Sequence, residues 1–179
     1  LNVPVTLTAQ LLTNERIVRR AEAAQEAENV AREMFSLNIA GVRVRTLLVE
    51  PVVDVDAEVF LGIYGNLGGS LLLFASAEGG SDLNTIEREK PHTLFRETID
   101  PFLGVLEFQA RNLASGINLP REFWGEFSRI AAGLYRCALA TDAVRAEINP
   151  LGLARSGELI TLGGRLAIDD NALFRQQEL

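Results

Sequence analysis

The stretch AEINPLGLARSGELITLGGRLAIDDNALFR, residues 146–175, decides the fold of this chain. Strand-forming runs at 144–149 and 158–167 flank Arg155-Ser156-Gly157, a triplet typical of a tight turn. We therefore predict a β-hairpin. Because successive side chains of a strand point to opposite faces, Glu147 and Asn149 are expected on one face, with the returning strand beside them.

This hairpin carries a candidate metal site. Carboxylates and an asparagine carbonyl oxygen are hard ligands of the kind that Mg²⁺ prefers, which makes Glu147 and Asn149 candidate ligands. A polar pair at the end of a hairpin without any metal would have the same pattern, so both interpretations stay open at this point.

The preceding chain supplies further strands and helices. Apolar residues recur at helical spacing after a possible cap at Asn14, beginning with Ile17 and Ala21. The other segments that we predict are strands at 3–12, 42–50, 57–64 and 70–76, a hairpin at 65–69, a loop with a short helix at 81–90, and helices at 103–117 and 120–139. Strands, then helices, then a hairpin predict an α+β fold with a mainly antiparallel sheet and packed helices.

Composition excludes several classes of protein. The 179 residues are 47% hydrophobic and 23% charged, a globular balance, and a net charge of −7 argues against nucleic-acid binding. No apolar run approaches the ~20 residues of a membrane span, so we expect no membrane partner. The single cysteine, Cys137, is expected to be buried and inert, and His92 alone cannot form a histidine-rich metal site. We expect a cytoplasmic chain (in the mitochondrial matrix if eukaryotic), and a fragment, since residue 1 is not methionine.

Several colinear motifs resemble one family. Upstream of the hairpin stand LLVEPVVDVDAEVFLGI at 47–63, FASAEGG at 74–80 and IDPFLGVLEFQARNLA at 99–114. Together with residues 146–175, these resemble the β subunits of succinyl-CoA synthetase and related acid–CoA ligases, in the same order along the chain. The resemblance implies an ATP-grasp fold, with residues 1–41 as a remnant of the smaller subdomain, residues 42–179 as the carboxylate-bearing subdomain, and the C-terminal CoA-ligase domain absent.

The same resemblance implies an activity and site residues. Such a domain binds ATP or GTP with Mg²⁺, and an α subunit completes the ligase by carrying the histidine that is phosphorylated on the way to the acyl-CoA. By motif position, Glu50 and Val53 would line the adenine pocket and Glu58 would hold the ribose hydroxyls. Asn149 would be a magnesium ligand.

Three departures from the family pattern fall on the phosphate end of that site. Gly163 stands where the family has its second magnesium-binding aspartate, and Thr8 stands where it has a phosphate-binding lysine. The glycine-rich loop that should follow is missing, since residues 11–24 contain no glycine. Three arginines expected on the helix there cannot replace its backbone N–H groups: Arg16, Arg19 and Arg20. We therefore expect no phosphoryl-transfer activity from the chain alone, and both Mg²⁺ and the nucleotide are in question as cofactors.

Three functions remain open from the sequence. The first is the nucleotide-binding part of a working acid–CoA ligase that acts with an α subunit. The second is a degenerate paralogue without phosphoryl transfer, retained as an assembly or regulatory module. The third is a generic α+β interaction domain without an ancestral nucleotide site.

Overall fold

The structure is a computed structural model that describes residues 4–10, 16–39, 41–65 and 70–177. Helices and strands are both present, and every strand pairing within these ranges is antiparallel. The predicted α+β class is therefore confirmed. No helix in the described part of the chain has the length and hydropathy needed to span a membrane.

The chain divides into two compact units, Leu1–Asp54 and Val55–Leu179. The subdomain boundary expected between residues 41 and 42 stays a prediction, and the two compact units divide after Asp54. The physical reason is strand pairing, because Leu48–Pro51 pairs with the first strand of the chain and so belongs to the first unit.

The first unit is a three-stranded antiparallel sheet with one helix. Its elements, in chain order, are β1 (Val5–Gln10), β2 (Arg16–Ala21), α1 (Ala24–Ser36), the two-residue strands β3 (Asn38–Ile39) and β4 (Val42–Arg43), and β5 (Leu48–Pro51). β1 lies between β2 and β5. Leu7 and Ala9 of β1 share one buried apolar core with Met34 of α1, which holds the helix on the sheet.

The helix predicted after Asn14 begins later than expected. The prediction is wrong for residues 16–21, which form β2 and pair with β1 along its whole length. Ile17 and Ala21 fit helical spacing, but strand pairing satisfies the backbone groups of both strands and still places these two side chains in the core. α1 then keeps the helical spacing from Ala24 onward. The predicted cap at Asn14 lies outside the described residues.

The second unit is a six-stranded antiparallel sheet with helices on both faces. Its elements, in chain order, are β6 (Val55–Gly65), β7 (Leu71–Ser76), α2 (Leu83–Glu89), β8 (Leu94–Ile99), α3 (Glu107–Gly116), α4 (Trp124–Ala140), β9 (Ala143–Ala154), β10 (Leu159–Thr161) and β11 (Gly164–Ile168). The strand order is β10-β9-β6-β7-β8, and β11 also pairs with β9.

The two faces of this sheet are covered differently. One face carries Leu61 and Leu73 into the main apolar core, where Phe127 of α4 meets them. On the opposite face, which we call the α2 face, Phe60 and Phe74 pack against buried residues of α2. Alternation along β6 places Glu58, Phe60, Gly62 and Tyr64 on the α2 face.

Several predicted elements differ from the observed ones. β8 was not predicted, the predicted strands at 42–50 and 158–167 are each split in two, and α3 begins at Glu107 instead of residue 103. The later start of α3 follows from a turn, since the Asp100 carboxylate accepts the backbone N–H groups of Phe102 and Leu103. Cys137 is exposed on α4, so its predicted burial is wrong. The hairpin expected at 65–69 lies largely outside the described residues.

Candidate functional site

A glycine turn holds the predicted ribose-binding residue at one end of the α2 face. The Gly79 N–H donates to the Glu58 carbonyl at 3.3 Å, and a Cβ at position 79 would lie 2.5 Å from the carbonyl carbon of Glu58. Gly80 has a φ of +80°, a conformation that favours glycine. The two glycines therefore let this turn approach β6 closely, while the Glu58 side chain remains exposed.

Asn149 fixes the same turn from β9. Its Oδ1 accepts the Gly80 N–H at 2.7 Å, and its Nδ2 donates to the Ser81 carbonyl at 2.8 Å. The peptide bond between Asn149 and Pro150 is cis. The side chain predicted as a metal ligand therefore already binds the backbone of the turn through both of its polar atoms.

A charged cluster lies on the α2 face, further along β6 from Glu58. Glu147 is only 3% exposed, and its carboxylate accepts hydrogen bonds from Arg145 at 3.0 Å and from the Tyr64 hydroxyl. Arg165 forms a second ion pair with Glu147 at 3.3 Å. The guanidinium of Arg145 also lies 5.1 Å from the centroid of the Tyr64 ring, a cation–π contact.

Strand register assembles this cluster from three strands. Arg145 of β9 lies opposite Tyr64 of β6, and Glu147 lies opposite both Gly62 of β6 and Arg165 of β11. Side chains at directly paired positions share one face. Tyr64 of β6 and Arg165 of β11 therefore become neighbours of Arg145 and Glu147 on β9. Sequence reasoning missed Tyr64, Arg145 and Arg165. Only the Arg145-x-Glu147 alternation could have indicated that an arginine shares a face with Glu147.

The environment of Tyr64 shifts the pKa of its phenol. Burial, followed by the hydrogen bond to Glu147, raises the pKa of Tyr64 well above its ordinary value. The hydroxyl is protonated at neutral pH, as in any ordinary tyrosine, and donates to the Glu147 carboxylate. Two guanidinium groups and one phenol thus surround the Glu147 carboxylate.

The residues present do not fit a magnesium site. Glu147 is neutralised by two arginines, and the Asn149 oxygen is engaged by Gly80. The Asn149 N–H donates to the Gly163 carbonyl at 2.8 Å, so position 163 lies beside Asn149, but glycine offers no side-chain ligand there. No group of three or more acidic, histidine or cysteine side chains within the described ranges could hold a metal ion. Mg²⁺ requires near-octahedral oxygen ligation, which this set does not supply.

The other predicted nucleotide-binding residues belong to the first unit. Glu50 is exposed on β5 opposite Thr6, and Val53 follows that strand with a partly buried side chain. Glu58, Glu147 and Asn149 belong to the second unit. Within that unit the structure links Asn149 to Glu58 through the glycine turn, and it gives Glu147 a different set of partners.

Thr8, which the family resemblance predicts in place of a phosphate-binding lysine, lies in the middle of β1 between Val18 and Leu48. It is 7% exposed, and its hydroxyl has no hydrogen-bond partner among the described residues. Arg19 and Arg20 lie on a strand, so their predicted placement on a helix is wrong. The segment at 11–15, where the family resemblance predicts a glycine-rich loop, lies outside the described residues.

Comparison with known proteins identifies the family. The model of the ATP-grasp domain matches residues 15–153. Among curated proteins, the β subunit of ADP-forming succinate–CoA ligase from Roseiflexus sp. (strain RS-1) is 36% identical over 90% of this chain and 43% of its own length. The corresponding subunits from Baumannia cicadellinicola and Pyrobaculum calidifontis are 40% and 33% identical, over 92% and 98% of this chain and 43% and 48% of their own lengths.

A solved structure shares the fold. The ATP citrate lyase from Methanothrix soehngenii, in complex with citrate and coenzyme A, superposes with a TM-score of 0.69 over 98% of this chain and 41% of that protein, at 19% identity. At this identity the match establishes the fold alone. The chain spans less than half the length of the curated relatives named above. Since the family model covers most of the chain, this protein belongs to the ATP-grasp domain family and is similar to the β subunits of succinate–CoA ligase.

Proposed function

We propose that this chain is the nucleotide-binding domain of an acid–CoA ligase that acts together with an α subunit. In that assembly, cleavage of ATP or GTP would drive formation of an acyl-CoA thioester. The observation that carries the proposal is similarity to succinate–CoA ligase β subunits along 90–98% of this chain, at 33–40% identity.

Glu58 is the proposed ribose-binding residue. A carboxylate accepts hydrogen bonds only, and the two vicinal hydroxyls of a ribose can donate to its two oxygens. The glycine turn supports this role because it fixes the backbone of Glu58 while leaving the side chain exposed. We propose Glu50 and Val53 as residues of the adenine pocket, with Val53 acting through its backbone.

Asn149 has a positioning role in this proposal. By holding the backbone at Gly80 and Ser81, it fixes the turn that lies against Glu58. Its Oδ1 already accepts the Gly80 N–H, and the neighbouring Gly163 offers no second side-chain ligand, so the proposal assigns Asn149 no metal ion. What the chain itself contributes is a fixed position for the nucleotide.

Calorimetric titration of ATP, ADP and AMP into the purified chain tests the proposal. We expect all three to bind, and Glu58→Ala to weaken each by at least about tenfold, since the loss of a charged hydrogen-bonding group costs roughly 1.5–3 kcal/mol. The matched control is Glu89→Ala, another exposed glutamate of the second unit, which should bind as the original chain does. Failure of all three nucleotides to bind a folded chain, also in complex with an α subunit, would refute the proposal.

A degenerate module without phosphoryl transfer is the second candidate. Its support comes from Gly163 and from Thr8, whose short, buried hydroxyl stands where the family resemblance predicts a cationic side chain. Neutralising phosphate charge is the main requirement of phosphoryl transfer. The loss of a metal ligand and of a cationic side chain would therefore reduce catalysis more than it reduces binding of an α subunit. In that case the chain would bind an α subunit without supporting acyl-CoA formation. Turnover by the reconstituted complex would exclude this candidate.

A further inference from the structure

We propose that Lys90, the only lysine of the chain, is a positioning residue for the ribose of the bound nucleotide. It acts through Glu78 and the glycine turn on Glu58 and does not contact the ligand itself. The inference rests on the proposed function, in which Glu58 holds the ribose hydroxyls. It deepens that function by naming a residue that determines how well the sugar is recognised.

A closed ring of hydrogen bonds joins the start of the glycine turn to the end of α2. The Lys90 Nζ donates to the Glu78 carboxylate at 2.5 Å, and the Glu78 N–H donates to the Ser76 hydroxyl at 3.2 Å. The Ser76 hydroxyl donates to that of Thr93 at 3.2 Å, and the Thr93 hydroxyl donates to the Lys90 carbonyl at 2.9 Å. Removing the Lys90 amine therefore opens the ring at its ion pair.

The ring connects the turn to packed parts of the second unit. Ser76, at the end of β7, is fully buried. The Lys90 N–H donates at 2.8 Å to the carbonyl of Ile86, which is 1% exposed and belongs to the core of the α2 face. Glu78 is also better covered than Lys90, with 25% of its side chain exposed against 53%. The ion pair therefore ties the turn to both β7 and α2.

The turn held by this ring contacts Glu58 at two places. The Gly79 N–H donates to the Glu58 carbonyl at 3.3 Å. A Cβ at position 80 would lie 3.7 Å from Glu58 Oε2, so the carboxylate lies beside the backbone of Gly80. A binding group has to be held within about 0.5 Å of its productive position. A shift of the turn is therefore transmitted to the carboxylate that accepts the ribose hydroxyls.

Asn149 holds the other end of the same turn. Its side chain binds the backbone at Gly80 and Ser81 from β9, whereas Lys90 acts on Glu78 from α2. Replacing Lys90 leaves both hydrogen bonds of Asn149 in place. We therefore expect the turn to loosen at Glu78 while the chain stays folded.

Calorimetric titration of ATP and 2′-deoxyATP into the purified chain tests this inference. The readout is the ratio of the two dissociation constants, because 2′-deoxyATP lacks one of the hydroxyls that the Glu58 carboxylate accepts. We expect the original chain to favour ATP by at least about tenfold. Lys90→Met should reduce this preference by roughly threefold, within the range that exposed ion pairs contribute. Lys90→Arg keeps a cation and should retain most of the preference.

Matched variants separate positioning from a general effect of charge. Arg88→Met removes another exposed ion pair of α2, with Glu89, and should leave the ratio unchanged. Glu78→Ala removes the other half of the Lys90 pair and should lower the ratio as Lys90→Met does. Combining these two changes should lower it no further, because both remove the same interaction. Unfolding in urea verifies that each variant is folded before titration.

The outcomes separate this inference from the proposed function. A ratio that falls in Lys90→Met and in Glu78→Ala, but not in Arg88→Met, supports the positioning role. Equal weakening of both nucleotides in Lys90→Met would leave the ratio unchanged and overturn the inference alone. So would an original chain that binds the two nucleotides equally well. Failure of both to bind a folded chain, also in complex with an α subunit, would refute the proposed function and the inference with it.

Discussion

The two ends of the α2 face are built by different means. At one end, contacts of the backbone hold the structure together: Gly79 and Gly80 approach Glu58, and Asn149 binds the backbone of the turn through two hydrogen bonds. At the other end, charged side chains from three strands surround Glu147. The first end tolerates few changes in shape, whereas the second end tolerates few changes in charge. Mutations should therefore act differently at the two ends.

The largest effect is expected from Glu147→Gln. Two guanidinium groups would lose their common counter-ion while Tyr64 kept an acceptor, and breaking a buried pair costs 3–5 kcal/mol. Because both arginines are partly exposed, we expect a loss near the lower limit, about 3 kcal/mol in the free energy of unfolding measured with urea. Glu87→Gln, at an exposed glutamate of α2, is the control. Equal stability of the two variants would mean that the cluster does not hold the sheet together.

Gly79→Ala tests the shape requirement at the other end. Its Cβ would lie 2.5 Å from the backbone of Glu58, which cannot move without disturbing β6. Overpacking of this kind costs ~2 kcal/mol, and ATP affinity should fall as well because Glu58 shifts. Gly125→Ala, within α4 and with open space around its Cβ, should instead stabilise by up to about 1 kcal/mol. If Gly79→Ala were as stable as Gly125→Ala, the close approach would be refuted.

Asn149→Ala should have an intermediate effect. It removes two hydrogen bonds to the turn, each with a net contribution of ~1 kcal/mol, so we expect a loss of roughly 1–2 kcal/mol in unfolding free energy. Asn112→Ala removes one bond to Glu97, a half-buried glutamate of β8, and should cost less. Hydrogen exchange at the Gly80 amide should accelerate only in Asn149→Ala. Unchanged protection there would contradict the role of Asn149 as the residue that fixes the turn.

The smallest effect concerns a pair outside both ends. A side-chain hydrogen bond from Arg175, and a weaker contribution from that of Gln176, lower the pKa of Asp142 to about 2. A carboxylate whose pKa is lowered by folding stabilises the protein above its unfolded pKa, and this contribution is lost as pH falls toward 2. Asp142→Asn keeps a residue that tolerates the positive φ of this position. We expect the variant to have a lower melting temperature at pH 6 and to approach the original chain as the pH falls. A constant difference between pH 6 and pH 2.5 would exclude the linkage.

Local sequence signals predicted some elements well and others poorly. The turn at Arg155-Ser156-Gly157 is confirmed, with Gly157 at a φ of +87°, and α4 confirms the helix predicted at 120–139 and buries Phe127, Ala131 and Leu134. β2 was missed because its apolar residues fit a helix as well as a strand, and only the neighbouring strand β1 favours the strand. The roles assigned to Glu50, Val53, Glu58, Glu147 and Asn149 stay predictions.

The sequence by itself determined the family and the shape of the hairpin. Colinear motifs, glycines and apolar periodicity are local features, so they can be read without knowing how the chain packs. The resemblance also predicts that Gly163 stands in place of a metal-binding aspartate, and this stays a prediction. Only the tertiary structure decided which groups surround Glu147. Tyr64, Arg145 and Arg165 come from three strands, and their meeting depends on strand register, since a shift of one residue would turn each side chain to the other face.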